Sequence, residues 1–412
     1  MRSLLSYKSR LFFGTLLVML LPLAIMEPIK GFAQGRAAFI TSIILAGIAH
    51  ILTTKSLSVF SNFPGRKSAV IALPHAFFWF FGMWMTAKFF NLPYTVWFLF
   101  MAGCLSLFLC ISYIYYRNKF ITTYAYLPYG RASNADQLPN VNWIKLTSPC
   151  LPETSVINGI VADLHEPELD NHWQKFLARQ TLNGMPVYNI RQVEEFLTGR
   201  VKIHHLYEND LGSLLPSPTY VLIKRVFDIV LILLSAPVTL PVMLITAIAI
   251  KLESPGNILF RQNRVGRSGK EFCIYKFRSM CSDSEKNGAR MAQLGDARVT
   301  RIGHIIRKTR IDELPQFWNI LKGDMSLIGP RPEQKVFVDQ FIQEIPFYDY
   351  RHIVKPGISG WAQVTQGYAA DTEQTQIKIE HDFYYIKHFS FSLDILIFFK
   401  TLKTMLTGFG AR

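Results

Sequence analysis

The chain has 412 residues, a net charge of +15 and a 50% hydrophobic composition. Its positive mean hydropathy is high for a wholly soluble protein, and the length allows two or three domains. Its five cysteines (Cys104, Cys110, Cys150, Cys273, Cys281) lack metal-ligand spacing and read as reduced thiols.

Four nearly uncharged runs, at 11–26, 37–54, 68–87 and 95–116, each approach the roughly 20 residues that cross a bilayer core. A cleaved signal peptide would explain the first run but not four in succession. The expectation is a four-helix transmembrane bundle over residues 1–117. Arg2, Lys8 and Arg10 precede the first run, and Lys55, Arg66 and Lys67 separate the second from the third. The other side carries only Lys30, Arg36 and Lys88, so both ends of the bundle are expected in the cytoplasm.

Residues 118–218 turn polar. Short β-rich runs at 121–127, 143–146, 156–161 and 186–190 alternate with helical patterns at 167–182 and 191–197, which predicts a small cytosolic α/β domain. No G-x-G-x-x-G follows its first strand, so no dinucleotide site is expected, and a regulatory or spacer role is the plain reading. The stretch 211–218, LGSLLPSP, is the expected linker.

An uncharged run at 229–250 follows Lys224 and Arg225. Its length alone fits a fifth spanning helix. Against that, Pro237 and Pro241 interrupt it, and basic residues flank both ends (Lys224 and Arg225; Lys251, Arg261 and Arg264). A re-entrant helix over about 226–250, breaking near Pro237 and returning to the cytoplasm, accommodates both observations. It opens a third domain, 219–412.

That domain is dense in glycine, arginine and lysine. FRQNRVGRSGK (260–270) and YKFRSM (275–280) form one basic run, and Arg298, Arg301, Arg307, Lys308 and Arg310 form another. The second leads into Asp312-Glu313, followed by Pro315 where a helix should begin. Arginine forks suit phosphate oxygens, and neighbouring glycines let the backbone approach them. Paired carboxylates near a helix N-terminus and a phosphate site would hold a metal or attack phosphorus; helix capping is the plainer alternative. Downstream, Pro330-Arg331-Pro332 fixes one guanidinium on a rigid turn. Trp361, on a Gly/Pro turn, suits a nucleobase, the membrane interface or simple loop packing. The apolar stretch 389–409 suits a helix lying on a membrane or one in the core. The charge itself fits nucleic acid or anionic lipid and phosphorylated substrates; with four membrane runs and no nucleic-acid module, nucleic acid is not an expected partner.

From Lys224 to its end the chain resembles the bacterial sugar transferases, the monotopic polyprenyl-phosphate phosphoglycosyl transferases. The blocks that carry the resemblance are KRVFD (224–228), ESPGNILFRQNRVGRSGKEF (253–272), YKFRSM (275–280), IDELPQFWNILKGDMSLIGPRPE (311–333), KPGISGWAQV (355–364) and HDFYYIKHFSFSLDI (381–395). The N-terminal bundle and small α/β domain are similar to the long form of that family. Two departures are visible: Ala236-Pro237 where the family often has Ser-Pro, and Ile311 for a common Leu.

The resemblance implies a membrane protein with four transmembrane helices, a small α/β domain and an α-rich α/β catalytic domain bearing a re-entrant helix and interfacial helices. It implies transfer of a hexose 1-phosphate from a UDP-sugar to undecaprenyl phosphate, with UMP released, at the cytoplasmic face of the bacterial inner membrane. That reaction opens exopolysaccharide, capsule or O-antigen synthesis. Asp312 would be the nucleophile in a covalent aspartyl intermediate, and Glu313 would help hold Mg²⁺. Lys276, Arg278, Arg307 and Arg331 would contact the diphosphate and nucleotide, and Lys224 and Arg225 the lipid phosphate. Architecture-level analogy favours glucose or galactose as the sugar and allows a homodimer. The alternative is a non-catalytic scaffold or regulator of a polysaccharide assembly complex.

Overall fold

The computed structural model describes residues 7–30, 35–60, 72–119, 122–152, 157–203, 215–281, 298–367 and 372–407. The linker expected at 211–218 falls partly outside them, at 211–214. The chain divides into two compact units, residues 1–198 and 199–412.

The first unit begins with four apolar helices, α1 (Tyr7–Lys30), α2 (Arg36–Phe60), α3 (Ala72–Phe89) and α4 (Val96–Lys119). α1, α2 and α4 are long and apolar enough to cross a membrane; α3, at 18 residues, reaches about 27 Å. Val18, Phe39, Leu45, Phe80 and Phe98 fill the bundle interior, while Phe77, Phe78, Trp97 and Phe100 point outward. An apolar exterior on an apolar core is the arrangement lipid requires.

The α/β domain of this unit has four parallel strands in the order β2-β1-β3-β4: β1 (Thr123–Tyr126), β2 (Asn142–Lys145), β3 (Gly159–Ala162) and β4 (Val187–Asn189). Alternate residues feed two cores. Ala125, Ile160 and Ala162 pack on Trp173, Phe176 and Leu177 of α5 (Asn171–Leu182), and Tyr126 and Val161 pack on Ile190 and Val193 of α6 (Ile190–Thr198). Each expected β run overlaps one of these strands, β2 starting one residue early and β3 ending one residue late. Asp170 caps α5 by accepting from the Trp173 backbone N–H at 2.9 Å.

The second unit opens with a short docked stretch. The Gly199 carbonyl accepts from Trp361 Nε1 and His381 Nδ1, each at 2.8 Å, and Val201 and Ile203 are buried. Then comes α7 (Pro218–Glu253), 36 residues assigned as helix without interruption through Pro237 and Pro241. The expected break at Pro237 is therefore not an interruption of the helix. Each proline removes a backbone donor, and the hydroxyls of Ser235 and Thr239 hydrogen-bond back to Ile232 O and Ser235 O in that stretch.

Both ends of α7 are held by the rest of its unit. Near its start, Lys224 pairs with Asp394 and Asp228 accepts from Leu327 N. At its end, Glu253 accepts from Ile302 N, and Ile250 packs with Phe277 and Ile306. Between them Leu233, Leu234, Val238 and Leu240 are exposed.

β5 (Leu259–Val265) and β6 (Glu271–Phe277) form an antiparallel hairpin. α8 (Arg301–Lys308) follows, capped by Thr300, then a 3₁₀ turn at Ile311–Glu313 and α9 (Gln316–Lys322). β7 (Ser326–Ile328) pairs in parallel with β8 (Gly357–Ser359). A Cβ on Gly357 would stand 2.1 Å from Gly329 N, so only glycine permits this approach. Between these strands lie α10 (Lys335–Glu344) and a 3₁₀ segment at Tyr348–Ile353. α11 (Trp361–Thr365), α12 (Thr372–Lys387) and α13 (Phe391–Thr407) close the unit. Trp361 is 1% exposed and stacks on Tyr384, so of its three readings loop packing holds. α13 buries Leu393, Leu396 and Ile397 and exposes Phe398, Leu402 and Met405, so it is a core helix on one face and apolar on its outer face too.

Candidate active site

Asp312 and Glu313 sit on the 3₁₀ turn between α8 and α9. Arg310 makes the bend in a left-handed conformation (φ 56°), and Pro315 begins the next helix as its sequence position suggests. Asn319 docks α9 on β6, donating to Cys273 O at 2.7 Å and accepting from Tyr275 N at 3.2 Å. That cross-link carries the carboxylate pair to the end of β6, where Lys276 lies.

The two carboxylates are buried, 9% and 5% exposed. Glu313 Oε1 accepts from Lys276 Nζ at 3.2 Å and from Arg331 Nη2 at 2.8 Å. Glu313 Oε2 faces Arg310 Nη1 at 3.6 Å and has no hydrogen-bond partner. Burial and the charge of Glu313 push the Asp312 carboxyl up to about 6, against the pull of Lys276, Arg331 and Arg307. Burial would raise Glu313 as well, but Arg331, Lys276 and Arg310 outweigh it and hold that carboxyl below the usual range. Burial and Arg331 lower the Lys276 ammonium, although both carboxylates oppose the shift.

The pair thus has an ionised Glu313 and, beside it, a carboxylate for which burial favours the neutral form. Either an anionic group neutralised by the surrounding cations or a cation between the carboxylates would complete the set. The orphaned buried Oε2 fits a hard divalent cation. Among the described residues no group of three or more His, Cys, Asp and Glu side chains forms a full protein cage. Mg²⁺ characteristically takes one or two carboxylates and completes its shell with phosphate and water, so the donor set suits it.

Arg331 projects from a turn braced on every side. Its carbonyl accepts from Arg351 Nη2 at 2.8 Å, and the same guanidinium binds Asp382 at 2.9 Å and the Tyr348 hydroxyl at 2.7 Å. Glu333, two residues on, takes Lys378 at 2.5 Å and Arg264 at 3.4 Å. Lys378, Arg351 and Arg264 together overcome the effect of burial on Glu333 and lower its carboxyl to about 2. Glu333, Arg351, Lys378 and Asp382 were not singled out from sequence, and Arg264 only as a basic residue flanking the apolar run.

Of the residues that sequence put forward, Asp312, Glu313, Lys276, Arg331 and Arg307 come together here, Arg307 through its charge on Asp312. Arg278 turns elsewhere: its guanidinium donates to Pro255 O at 2.7 Å and to Ser254 O and Oγ at 2.8 Å, clamping the exit of α7. Lys224 is buried against Asp394 at 2.5 Å, an acid that also accepts from the hydroxyls of Tyr220 and Tyr385. Arg225 donates to Ile320 O and to Leu321 O, capping the end of α9.

An apolar helical bundle joined to a unit with buried carboxylates among arginines describes a membrane protein whose chemistry concerns phosphate groups. The chain belongs to the bacterial sugar transferase family, whose profile matches residues 219–408. It is similar along its whole length, at 51% identity over 97% of the relative, to a UDP-N-acetylgalactosamine-undecaprenyl-phosphate N-acetylgalactosaminephosphotransferase from Aeromonas hydrophila. It is 43% identical over 66% of its length to a UDP-glucose:undecaprenyl-phosphate glucose-1-phosphate transferase from Caulobacter vibrioides, covering 96% of that protein. A third relative, a putative undecaprenyl-phosphate N-acetylgalactosaminyl 1-phosphate transferase from Bacillus subtilis, is 54% identical over 32% of this chain and 74% of its own.

Proposed function

We propose that the protein transfers a sugar 1-phosphate from a UDP-sugar to undecaprenyl phosphate, releasing UMP, and that the sugar is N-acetylgalactosamine. The observation that carries the reaction is the buried Asp312–Glu313 pair ringed by Lys276, Arg307, Arg310 and Arg331. The choice of sugar rests on the relative matched end to end, and it replaces the glucose or galactose that architecture alone favours.

An Asp312 oxygen attacks the sugar-bearing phosphorus, and the bond from that phosphorus to the UMP oxygen breaks. The phosphosugar is then an acyl phosphate on Asp312. A phosphate oxygen of undecaprenyl phosphate attacks the same phosphorus, and the Asp312–phosphorus bond breaks, restoring the carboxylate. Splitting the transfer lets a water-soluble donor and a membrane acceptor use one nucleophile in turn. Lys276, Arg331 and Arg307 oppose the burial that favours a neutral Asp312, and the fixed Arg331 fork orients the diphosphate. Glu313, with Asp312 beside it, would hold Mg²⁺, which when bound supplies charge neutralisation for the diphosphate oxygens.

The membrane placement follows from α7. Its two ends are tied to one catalytic unit and its exposed apolar middle lies between them, which supports a re-entrant helix with both ends on the same side. The basic loops of the bundle favour a cytoplasmic position for both of the bundle's ends, which supports a reaction at the cytoplasmic face of the bacterial inner membrane, where UDP-sugars are made. The product would serve as the first lipid-linked unit of an exopolysaccharide, capsule or O-antigen.

The test is UMP release from a panel of UDP-sugars by detergent-solubilised protein, with Mg²⁺, with and without undecaprenyl phosphate. Lipid-dependent turnover with UDP-N-acetylgalactosamine is expected; turnover with UDP-glucose alone would overturn the choice of sugar. No release with any UDP-sugar from folded protein would overturn the reaction and leave the scaffold reading.

A further inference from the structure

α9 carries the catalytic pair just ahead of its first residue and a second, separate group of cations at its other end. We infer that this second group, Arg225 with Lys355, binds a phosphate borne by a membrane lipid, at a site distinct from the carboxylate pair. The inference rests on reading α7 as membrane-embedded.

α9 ends at Gly323, which adopts a left-handed conformation (φ 102°). A Cβ there would stand 3.7 Å from Arg225 Nη2 and 3.7 Å from Lys355 Nζ. The glycine therefore leaves a notch between two cations close enough for one phosphate to touch both. Arg225 is fixed by its bonds to Ile320 O and Leu321 O. Lys355 is fixed at its backbone, because the next residues bond on both sides: Pro356 O accepts from Ser326 N, and Gly357 N donates to Pro330 O.

The Lys355 ammonium is half-buried, and no hydrogen bond or ion pair joins it to another described residue. Burial, Arg225 and Arg267 all disfavour its charge. Two acids face it: Asp228, which accepts from Leu327 N, and Asp324, which pairs with Lys322 at 3.4 Å and whose buried Oδ2 makes no hydrogen bond. A partly buried, unpaired lysine beside a guanidinium is a site that an anion would complete.

The kind of anion follows from position. Arg225 lies on α7 among Leu222, Ile223, Val226 and Phe227, all exposed and apolar. A lipid-facing helix with cations at that level presents them to the phosphate layer of a bilayer. A phosphate seated here is too far from Asp312 to react. Seven residues of α9 separate the notch from the 3₁₀ turn, about 10 Å of helix, whereas attack requires contact near 3 Å. The site thus holds either a phospholipid headgroup or an undecaprenyl phosphate waiting its turn.

The experiment uses the full chain in nanodiscs of phosphatidylcholine with and without phosphatidylglycerol, and compares wild type, Lys355→Gln and Lys355→Arg. Lipid retention is read by native mass spectrometry after extraction, and the KM for undecaprenyl phosphate is read in parallel. Losing one interfacial cation should change a lipid-phosphate preference roughly fivefold. A fall of that size in phosphatidylglycerol retention in Lys355→Gln, restored in Lys355→Arg, identifies a headgroup site. A matching rise in the KM for undecaprenyl phosphate, also restored, identifies a waiting acceptor. If neither quantity separates the glutamine variant from wild type, the site does not exist. Absence of a first-turnover UMP burst from wild type, which needs no lipid acceptor, would count against the reaction and leave the retention result standing.

Discussion

Two clusters of buried charge flank the Pro330-Arg331-Pro332 turn, and they are finished to different degrees. Around Arg351, Asp382, Glu333, Lys378 and Arg264, every acid has a cation within 3.4 Å. Around Asp312 and Glu313, one buried carboxylate oxygen has no hydrogen bond and the neighbouring acid is driven towards its neutral form. The first cluster is closed in its ion pairs, although Arg351 Nε makes no hydrogen bond and burial raises the Asp382 carboxyl too; at the second the orphan is a carboxylate oxygen, which keeps capacity for a cation. Arg331 belongs to both, its backbone held by the first and its guanidinium lent to the second.

The comparison breaks most sharply at the unfinished cluster. Asp312→Asn keeps the side chain's size but removes the proposed nucleophile, and should lower UMP formation at least ~10³-fold. Equal rates for the two proteins would remove Asp312 from the reaction. Glu313→Gln removes the shared counter-charge of Lys276, Arg310 and Arg331, so it should lower the melting temperature and also raise the Mg²⁺ needed for half-maximal rate about 10- to 100-fold. A Mg²⁺ titration that superimposes on wild type would show that the orphaned oxygen serves some other end.

The finished cluster should show the reverse pattern. Asp382→Asn leaves Arg351 buried without its counter-charge, a change that costs roughly 3–5 kcal/mol and is read as a fall in melting temperature. Activity at low temperature should survive better than stability does; loss of rate with an unchanged melt would make the pair catalytic. Acid separates the cluster further. Burial lowers His381 and His388 to about 4 and His352 to about 3, so these rings stay neutral in the fold. Unfolded histidine takes its proton near 6.5. Their stabilising effect is therefore full above that pH and is lost as pH falls from about 6.5 towards 4, at about 3 kcal/mol for each ring. Glu333 adds a second loss below about 4.5, since its carboxyl is held at about 2. A melting temperature that stays flat between pH 7 and 5 would contradict the first window.

Much of this was legible in sequence because it is local. The four strands of the small domain overlap short β-rich runs, the four N-terminal helices announce themselves by hydropathy, and Asp312-Glu313 stands just ahead of Pro315. What could not be read is what joins distant positions. Glu333 meets Arg264 and Lys378 across 69 and 45 positions, and Arg351 meets Asp382 across 31. No periodicity links such partners. The resemblance puts Lys224 at the lipid phosphate, yet a pairing 170 positions away buries it. The prolines of α7 argued for a broken helix because sequence shows the donors they remove but not which hydroxyls come back to the carbonyls.

Arg278 gives the finest test of the comparison, because sequence and geometry assign it differently. Beside Lys276 in YKFRSM it reads as a second phosphate contact, but β6 ends at Phe277 and the side chain turns to the Ser254-Pro255 corner. There its three donated bonds hold the turn by which α7 rejoins the hairpin. Arg278→Ala should therefore cost stability, about 1–3 kcal/mol for bonds from a charged donor, and change the KM for the UDP-sugar less than about twofold. Lys276→Ala, by contrast, removes a direct partner of Glu313 and should act on turnover. If Arg278→Ala raised that KM about tenfold with an unchanged melt, ~1.4 kcal/mol of substrate binding would belong to this arginine. The clamp would then have to open when the diphosphate arrives.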